Sequence, residues 1–183
     1  MNESPDRIPG HRPRLAEALA RRRVPLGFVA AAAAVALARP TLESWILGLL
    51  VAAVGEAIRV WAAGHLEKGR EVTRSGPYRF TRHPLYVGSS VLALGVVLAS
   101  RSLVVAAIAA VYMSATIAAA IRTEEAFLRS AFGSTYDEYR TARAERMDRR
   151  FSFARVLHNR EYRAVTGLIV GFALLALKIG LPI

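Results

Sequence analysis

A chain of 183 residues that is 54% hydrophobic and carries a net charge of +11 is long enough for one domain and too apolar for an ordinary soluble one. It has no cysteine, which excludes a disulfide framework, a thiolate nucleophile and a cysteine-ligated metal site; no metal ligand set is expected. The apolar residues come in blocks, and arginines gather at the block ends, so the positive charge reads as membrane topology rather than nucleic-acid binding.

In chain order, residues 1–23 form a basic tail with Arg7, Arg12, Arg14 and the cluster Arg21, Arg22 and Arg23. Pro5, Pro9 and Pro13 oppose a continuous helix before Leu15, so the tail is expected to be disordered up to a membrane-surface basic cluster. Residues 24–38 are an apolar run, short for a bilayer core of about 30 Å unless Arg23 and Arg39 snorkel. The arginine-rich start and Ala36-Leu37-Ala38 also fit a signal peptide, but more apolar blocks follow, which favours a first transmembrane helix. Residues 42–63 are the second span, with Glu43 near one end and Glu56 and Arg59 deep towards the other. A spacing of three places Glu56 and Arg59 on one helix face, where they can pair. Ionisable groups in a span face a polar interior, and a structural tie to a neighbouring helix explains this pair as well as catalysis does.

Residues 65–84 make a first basic loop. The third and fourth spans, 85–100 and 102–121, are joined only through Ser100, Arg101 and Ser102, which predicts a tight antiparallel hairpin. Their Ala, Gly and Ser residues would allow close packing. Residues 122–163 hold ten arginines and no lysine. From Glu124 to Tyr139, Phe127, Leu128, Phe132, Tyr136 and Tyr139 repeat with amphipathic helical spacing, and Gly133 marks a bend. Residues 164–183 are a fifth span. The expected fold is therefore all-α, a polytopic membrane helix bundle of about five transmembrane helices: a tail (1–23), a membrane domain (24–163) and an additional helix (164–183). Of the 25 Lys and Arg residues, 21 fall in the three segments this layout places in the cytoplasm, with the N-terminus inside and the C-terminus outside.

Chemistry concentrates in two stretches. In Ser75–Gly88, SGPYRFTRHPLYVG, Gly76 and Pro77 set a turn and Tyr78 supplies a ring with a hydroxyl handle. Pro84 suits the first turn of a helix, which puts His83 at a helix mouth where free N–H groups favour a polar ligand. Any one of these arginines alone would read as a membrane-boundary marker; the whole string does not. In the second stretch, Thr123–Tyr139, Glu124 and Glu125 follow the hairpin. Adjacent helical residues point about 100° apart, so one glutamate can face a site while the other pairs with an arginine such as Arg122. Taken alone, they would simply complement the helix dipole.

Together the stretches read GPYxxxRHPxYxG, an apolar hairpin, then EExxLxxxFGxxYxxY. Over residues 55–139 this order closely resembles the isoprenylcysteine carboxyl methyltransferase family, integral-membrane enzymes with the phospholipid methyltransferases as relatives. The resemblance implies S-adenosylmethionine as cofactor, touching Arg70, Glu71, Val72 and Thr73, then Tyr78, then His83, Pro84, Leu85 and Tyr86. Glu124 would hold its amino group by a charge-assisted hydrogen bond. The acceptor would be lipid-like, prenylated or a small molecule reached from the bilayer, with Glu125 and Arg122 as candidates for orienting it. Three departures leave that acceptor open: Ala120 stands where the isoprenylcysteine enzymes place a substrate-holding arginine, the Val-Pro after the last tyrosine is missing, and the fifth span is extra. An Arg-His-Pro string also occurs in membrane sterol reductases, so an NADPH-dependent reductase is the alternative, with a non-enzymatic membrane scaffold as the third reading.

Overall fold

The computed structural model describes residues 15–141 and 147–180; residues 1–14, 142–146 and 181–183 lie outside it, and with them most of the expected tail and the end of the expected fifth span. The described residues form six α-helices and one 3-10 turn, with no strand. These are α1 (Leu15–Leu37), α2 (Leu42–His65), the 3-10 turn Gly76–Arg79, α3 (Pro84–Ser100), α4 (Leu103–Arg140), α5 (Phe153–His158) and α6 (Tyr162–Ala176).

Helix boundaries follow local chemistry. At the start of α2, Thr41 Oγ1 accepts from the Ser44 amide at 3.3 Å and Ser44 Oγ accepts from the Thr41 amide at 3.0 Å, a reciprocal capping box. Pro84 opens α3 with His83 as its N-cap, as the sequence predicts. The helix α1 departs from expectation: it begins at Leu15 rather than Val24 and carries Pro25 inside it. The basic cluster Arg21–Arg23 therefore rides on a helix instead of ending a disordered tail. In α4 the fourth span runs on without interruption into the amphipathic stretch, and the helix breaks at Gly133, whose φ of 47° and ψ of −121° are not helical. That combination suits glycine, so the bend expected at this residue is present.

The expected antiparallel hairpin of the third and fourth spans is present, with Tyr86 at the start of α3 reaching Glu124 on α4, but each of its helices packs more extensively on another partner. Helix α3 lies against α2, while the main partner of α4 is α1. The reason is in the glycines. Gly48 and Gly55 on α2 are seven residues apart, as are Gly88 and Gly95 on α3, which puts each pair on one helix face. The helices run antiparallel, so Gly48 meets Gly95 and Gly55 meets Gly88. A Cβ added at Gly55 would lie 2.7 Å from the Gly88 carbonyl oxygen, and one at Gly95 2.5 Å from that of Gly48. The small residues thus bring α2 and α3 backbone to backbone.

Helix α6 closes the other flank. The Trp45 Nε1–H donates to the Phe172 carbonyl at 2.8 Å, and the two rings meet edge-on with centroids 6.1 Å apart. Ala38, Ala52, Ala99, Phe172 and Leu175 form the buried core between α2, α3 and α6. The Lys178 ammonium donates to the Val35 and Ala36 carbonyls, both at 2.8 Å, and so caps the end of α1. Helices α2 and α4 are long and apolar enough to cross a membrane; α3 and α6, with 17 and 15 residues, are shorter apolar helices. The part of α4 before its break, residues 103–132, is about 45 Å long at 1.5 Å per residue, about half as long again as a bilayer core.

Candidate functional site

Where α2 ends and α3 begins, the intervening loop, the first turns of α3 and the far half of α4 surround a cavity of about 540 Å³. That is within the range of small-molecule pockets. Its loop wall includes Glu71, Val72, Thr73 and Tyr78, its α3 wall His83, Pro84, Leu85 and Tyr86, and Glu124 faces it from α4. Of the residues implicated by sequence, Arg70 lies apart, with a side chain 78% exposed and 4.0 Å from Glu67. Arg122 is exposed and is not in the cavity wall, and Glu125 sits just behind His83.

The two glutamates divide their contacts as adjacent helical positions require. Glu124 Oε2 accepts from the Tyr86 hydroxyl at 2.9 Å. Glu125 Oε1 lies 3.3 Å from Arg82 Nη1 and 3.3 Å from His83 Nε2, so its arginine partner is Arg82 rather than Arg122. Tyr136, fully buried, packs beside Glu125 and Arg82. The Tyr139 hydroxyl donates to the Tyr78 carbonyl at 2.8 Å, which fixes the part of α4 beyond Gly133 to the 3-10 turn. Burial, reinforced by the nearby Glu124 carboxylate, pushes the Tyr78 phenol far above its ordinary range, so this ring is neutral. Gly76 has φ of 56°, and a Cβ there would lie 2.5 Å from the His65 ring; only glycine fits the turn that presents Tyr78.

Arg59, itself in the cavity wall, joins three elements. Its Nε is 3.4 Å from Glu56, its Nη2 is 2.5 Å from Glu161 at the head of α6, and its Nη1 donates to Ser89 on α3. The expected Glu56–Arg59 pair is present, and it ties α2 to both neighbours.

Sequence reasoning missed what holds the loop. Residues 147–161 lie beneath it as a strap. Arg149 forks onto Glu71, with Nη1 at 2.6 Å and Nη2 at 2.8 Å from its two carboxylate oxygens, and Arg155 lies 3.6 Å from Glu67. Asn159 Nδ2 donates to the Ala63 and Leu66 carbonyls, and Arg155 Nε to that of Gly64, so the strap satisfies the last carbonyls of α2. The available signal was ten arginines and no lysine in residues 122–163, since a planar guanidinium suits bidentate carboxylate pairing better than an ammonium does. Arg149→Ala is expected to free the loop: limited trypsin digestion in detergent should cut after Lys68 and Arg70 several-fold faster than in wild type, with Arg149→Lys in between.

The described residues thus form an α-helical bundle with two helices apolar enough to cross a membrane and a cavity of mixed charged and apolar lining where α2 ends and α3 begins. The sequence profile of the phospholipid methyltransferase family matches residues 31–135, more than half of the chain, and the chain belongs to that family. It is 40% identical over 89 residues to the cobalt-zinc-cadmium resistance protein CzcN of Cupriavidus metallidurans, covering 48% of this chain and 40% of that one. To the nickel-cobalt-cadmium resistance protein NccN of Alcaligenes xylosoxydans xylosoxydans it is 35% identical over 96 residues, covering 51% and 43%. To the protein-S-isoprenylcysteine O-methyltransferase of Schizosaccharomyces pombe it is 31% identical over 86 residues, covering 47% and 36%. The chain thus spans about two fifths of the length of these curated relatives. No solved structure matches it. The family and the apolar helices together make this a membrane protein of methyltransferase lineage.

Proposed function

We propose that the protein transfers a methyl group from S-adenosylmethionine to a lipid-like acceptor, and that the cavity between the loop, α3 and α4 holds the cofactor. The observation that carries this reading is the placement of Glu124. A carboxylate stands at the wall of a cavity of suitable volume, beside His83, whose Nδ1 is buried without a hydrogen-bond partner. The residues fit the group. Glu124 suits the cofactor's ammonium, and Val72, Leu85, Leu128 and the Tyr78 and Tyr139 rings supply the apolar and aromatic surface a nucleoside needs.

S-adenosylmethionine, when bound, supplies an electrophilic methyl group on a cationic sulfur. The chain's own part is to bind, orient and keep water away. Glu124 anchors the ammonium end, with Tyr86 fixing its carboxylate, and the neutral Tyr78 closes one wall without adding charge. Since α3 leans on α2 and α4 on α1, the seam between α3 and α4 is the acceptor's route from the bilayer. Positioning then does most of the catalysis. The five-span arrangement, with the N-terminus and the cavity cytoplasmic and the C-terminus outside, belongs to the same proposal; the arginine distribution supports it.

None of the three relatives above is named as a reductase, and no observation here favours one. The metal-resistance names of two relatives add no separate reading: among the described residues no three His, Asp or Glu side chains are grouped as metal ligands would be. The test is incubation of membranes containing the full-length protein with methyl-labelled S-adenosylmethionine. Label should enter the lipid-extractable fraction in proportion to the protein present. Label no higher than in membranes lacking the protein, in every fraction, contradicts the proposal.

A further inference from the structure

Two carboxylates and one imidazole meet at the mouth of α3, and their geometry assigns a task to Glu125, which lies outside the cavity wall. His83 Nε2 is 3.3 Å from Glu125 Oε1. A carboxylate oxygen only accepts, so that contact is a hydrogen bond when Nε2 carries the proton. Glu125 is itself held from behind by Arg82 Nη1 at 3.3 Å, with the buried Tyr136 beside it. The other ring nitrogen, Nδ1, is buried, has no hydrogen-bond partner and belongs to a side chain in the cavity wall. It lies 3.9 Å from Glu124 Oε2, whose bond from the Tyr86 hydroxyl fixes its direction.

We infer that Glu125 is a positioning residue that keeps the His83 proton on Nε2, so that the Nδ1 lone pair and Glu124 together receive one ligand ammonium. In the neutral imidazole, a proton on one nitrogen leaves the other an acceptor, and the partner of the first decides which is which. Two acceptors 3.9 Å apart both reach a single nitrogen at hydrogen-bond distance, and an ammonium has a separate N–H for each. The recognised group is therefore an ammonium with at least two free N–H bonds. The adjacent glutamates then have different work: Glu124 supplies charge to the ligand, and Glu125 acts through His83 without touching it. Naming the ammonium as the cofactor's rests on the proposed function; the tautomer does not.

The test uses the full-length protein in detergent with its histidine rings labelled with nitrogen-15, the His83 signals being identified by their loss in His83→Gln. At neutral pH and without ligand, wild type should show His83 with the proton on Nε2 and a bare Nδ1, and Glu125→Ala should show a mixture of tautomers. Titration with S-adenosylhomocysteine should give binding that Glu125→Ala weakens about tenfold and Glu125→Gln, which keeps an acceptor oxygen, about threefold. The analogue of that ligand without its amino group should bind wild type and Glu125→Ala about equally. A wild-type His83 with a proton on Nδ1, as the other tautomer or as imidazolium, overturns the inference. So does an unchanged tautomer in a Glu125→Ala protein that is folded by size-exclusion. Failure of S-adenosylhomocysteine to bind a protein with bare Nδ1 overturns the cofactor reading and leaves the tautomer assignment standing.

Discussion

Glu124→Ala is expected to weaken S-adenosylhomocysteine binding by roughly 30- to 150-fold, the equivalent of about 2–3 kcal/mol for a charge-assisted hydrogen bond that loses its charged acceptor. Its neighbours amplify the effect. Tyr86 would lose the acceptor of its hydroxyl, and the ammonium would be left facing only the His83 imidazole. Glu124→Gln keeps the shape and an acceptor oxygen, so its loss should be smaller. Tyr86→Phe removes only the group that directs the carboxylate and should cost least of the three. Calorimetric titration of the detergent-solubilised variants measures all three. A Glu124→Ala protein that binds as tightly as wild type would remove Glu124 from the site.

The second large effect is on folding. Gly55→Leu should leave little folded protein, because the added Cβ would lie 2.4 Å from the Leu92 amide nitrogen as well as close to the Gly88 carbonyl. These are backbone atoms, so no rotamer relieves the clash, and α2 and α3 must separate. Overpacking in a well-packed core costs about 1–3 kcal/mol and occasionally more, and a clash against backbone belongs at the upper end. Gly171→Ala is the control: nothing lies within 4 Å of an added Cβ there, and alanine is the better helix former. Fluorescence-detected size-exclusion after graded heating should show a large downward shift for Gly55→Leu and none for Gly171→Ala. Equal behaviour would show that the α2–α3 contact is not what holds the bundle.

Much of this was legible in the residues, for physical reasons. Pro84 announced the start of α3, Gly133 the break in α4, and the spacing of Glu56 and Arg59 their pairing, because each is a local effect with a period or a forbidden dihedral behind it. The loop and helix segments singled out by sequence do come together around one cavity. What could not be read was choice of partner. The short turn between α3 and α4 predicted their antiparallel hairpin, which is present, but not that glycines seven apart on α2 and α3 match each other and make that the closer contact. Nor did Arg149 announce that it would reach back 78 positions to Glu71, since a long-range ion pair leaves no periodic trace. The start of α1 was misplaced because the change from charged to apolar residues at Val24 is a change of environment and not of backbone conformation.

The central claim is that the cavity lined by Tyr78, His83, Tyr86 and Glu124 takes S-adenosylmethionine. Its most direct test is calorimetric titration of the wild-type full-length protein in detergent, with S-adenosylhomocysteine and, separately, with NADPH. Saturable binding of the first and none of the second is the predicted result; heat from NADPH alone, or from neither, would contradict it.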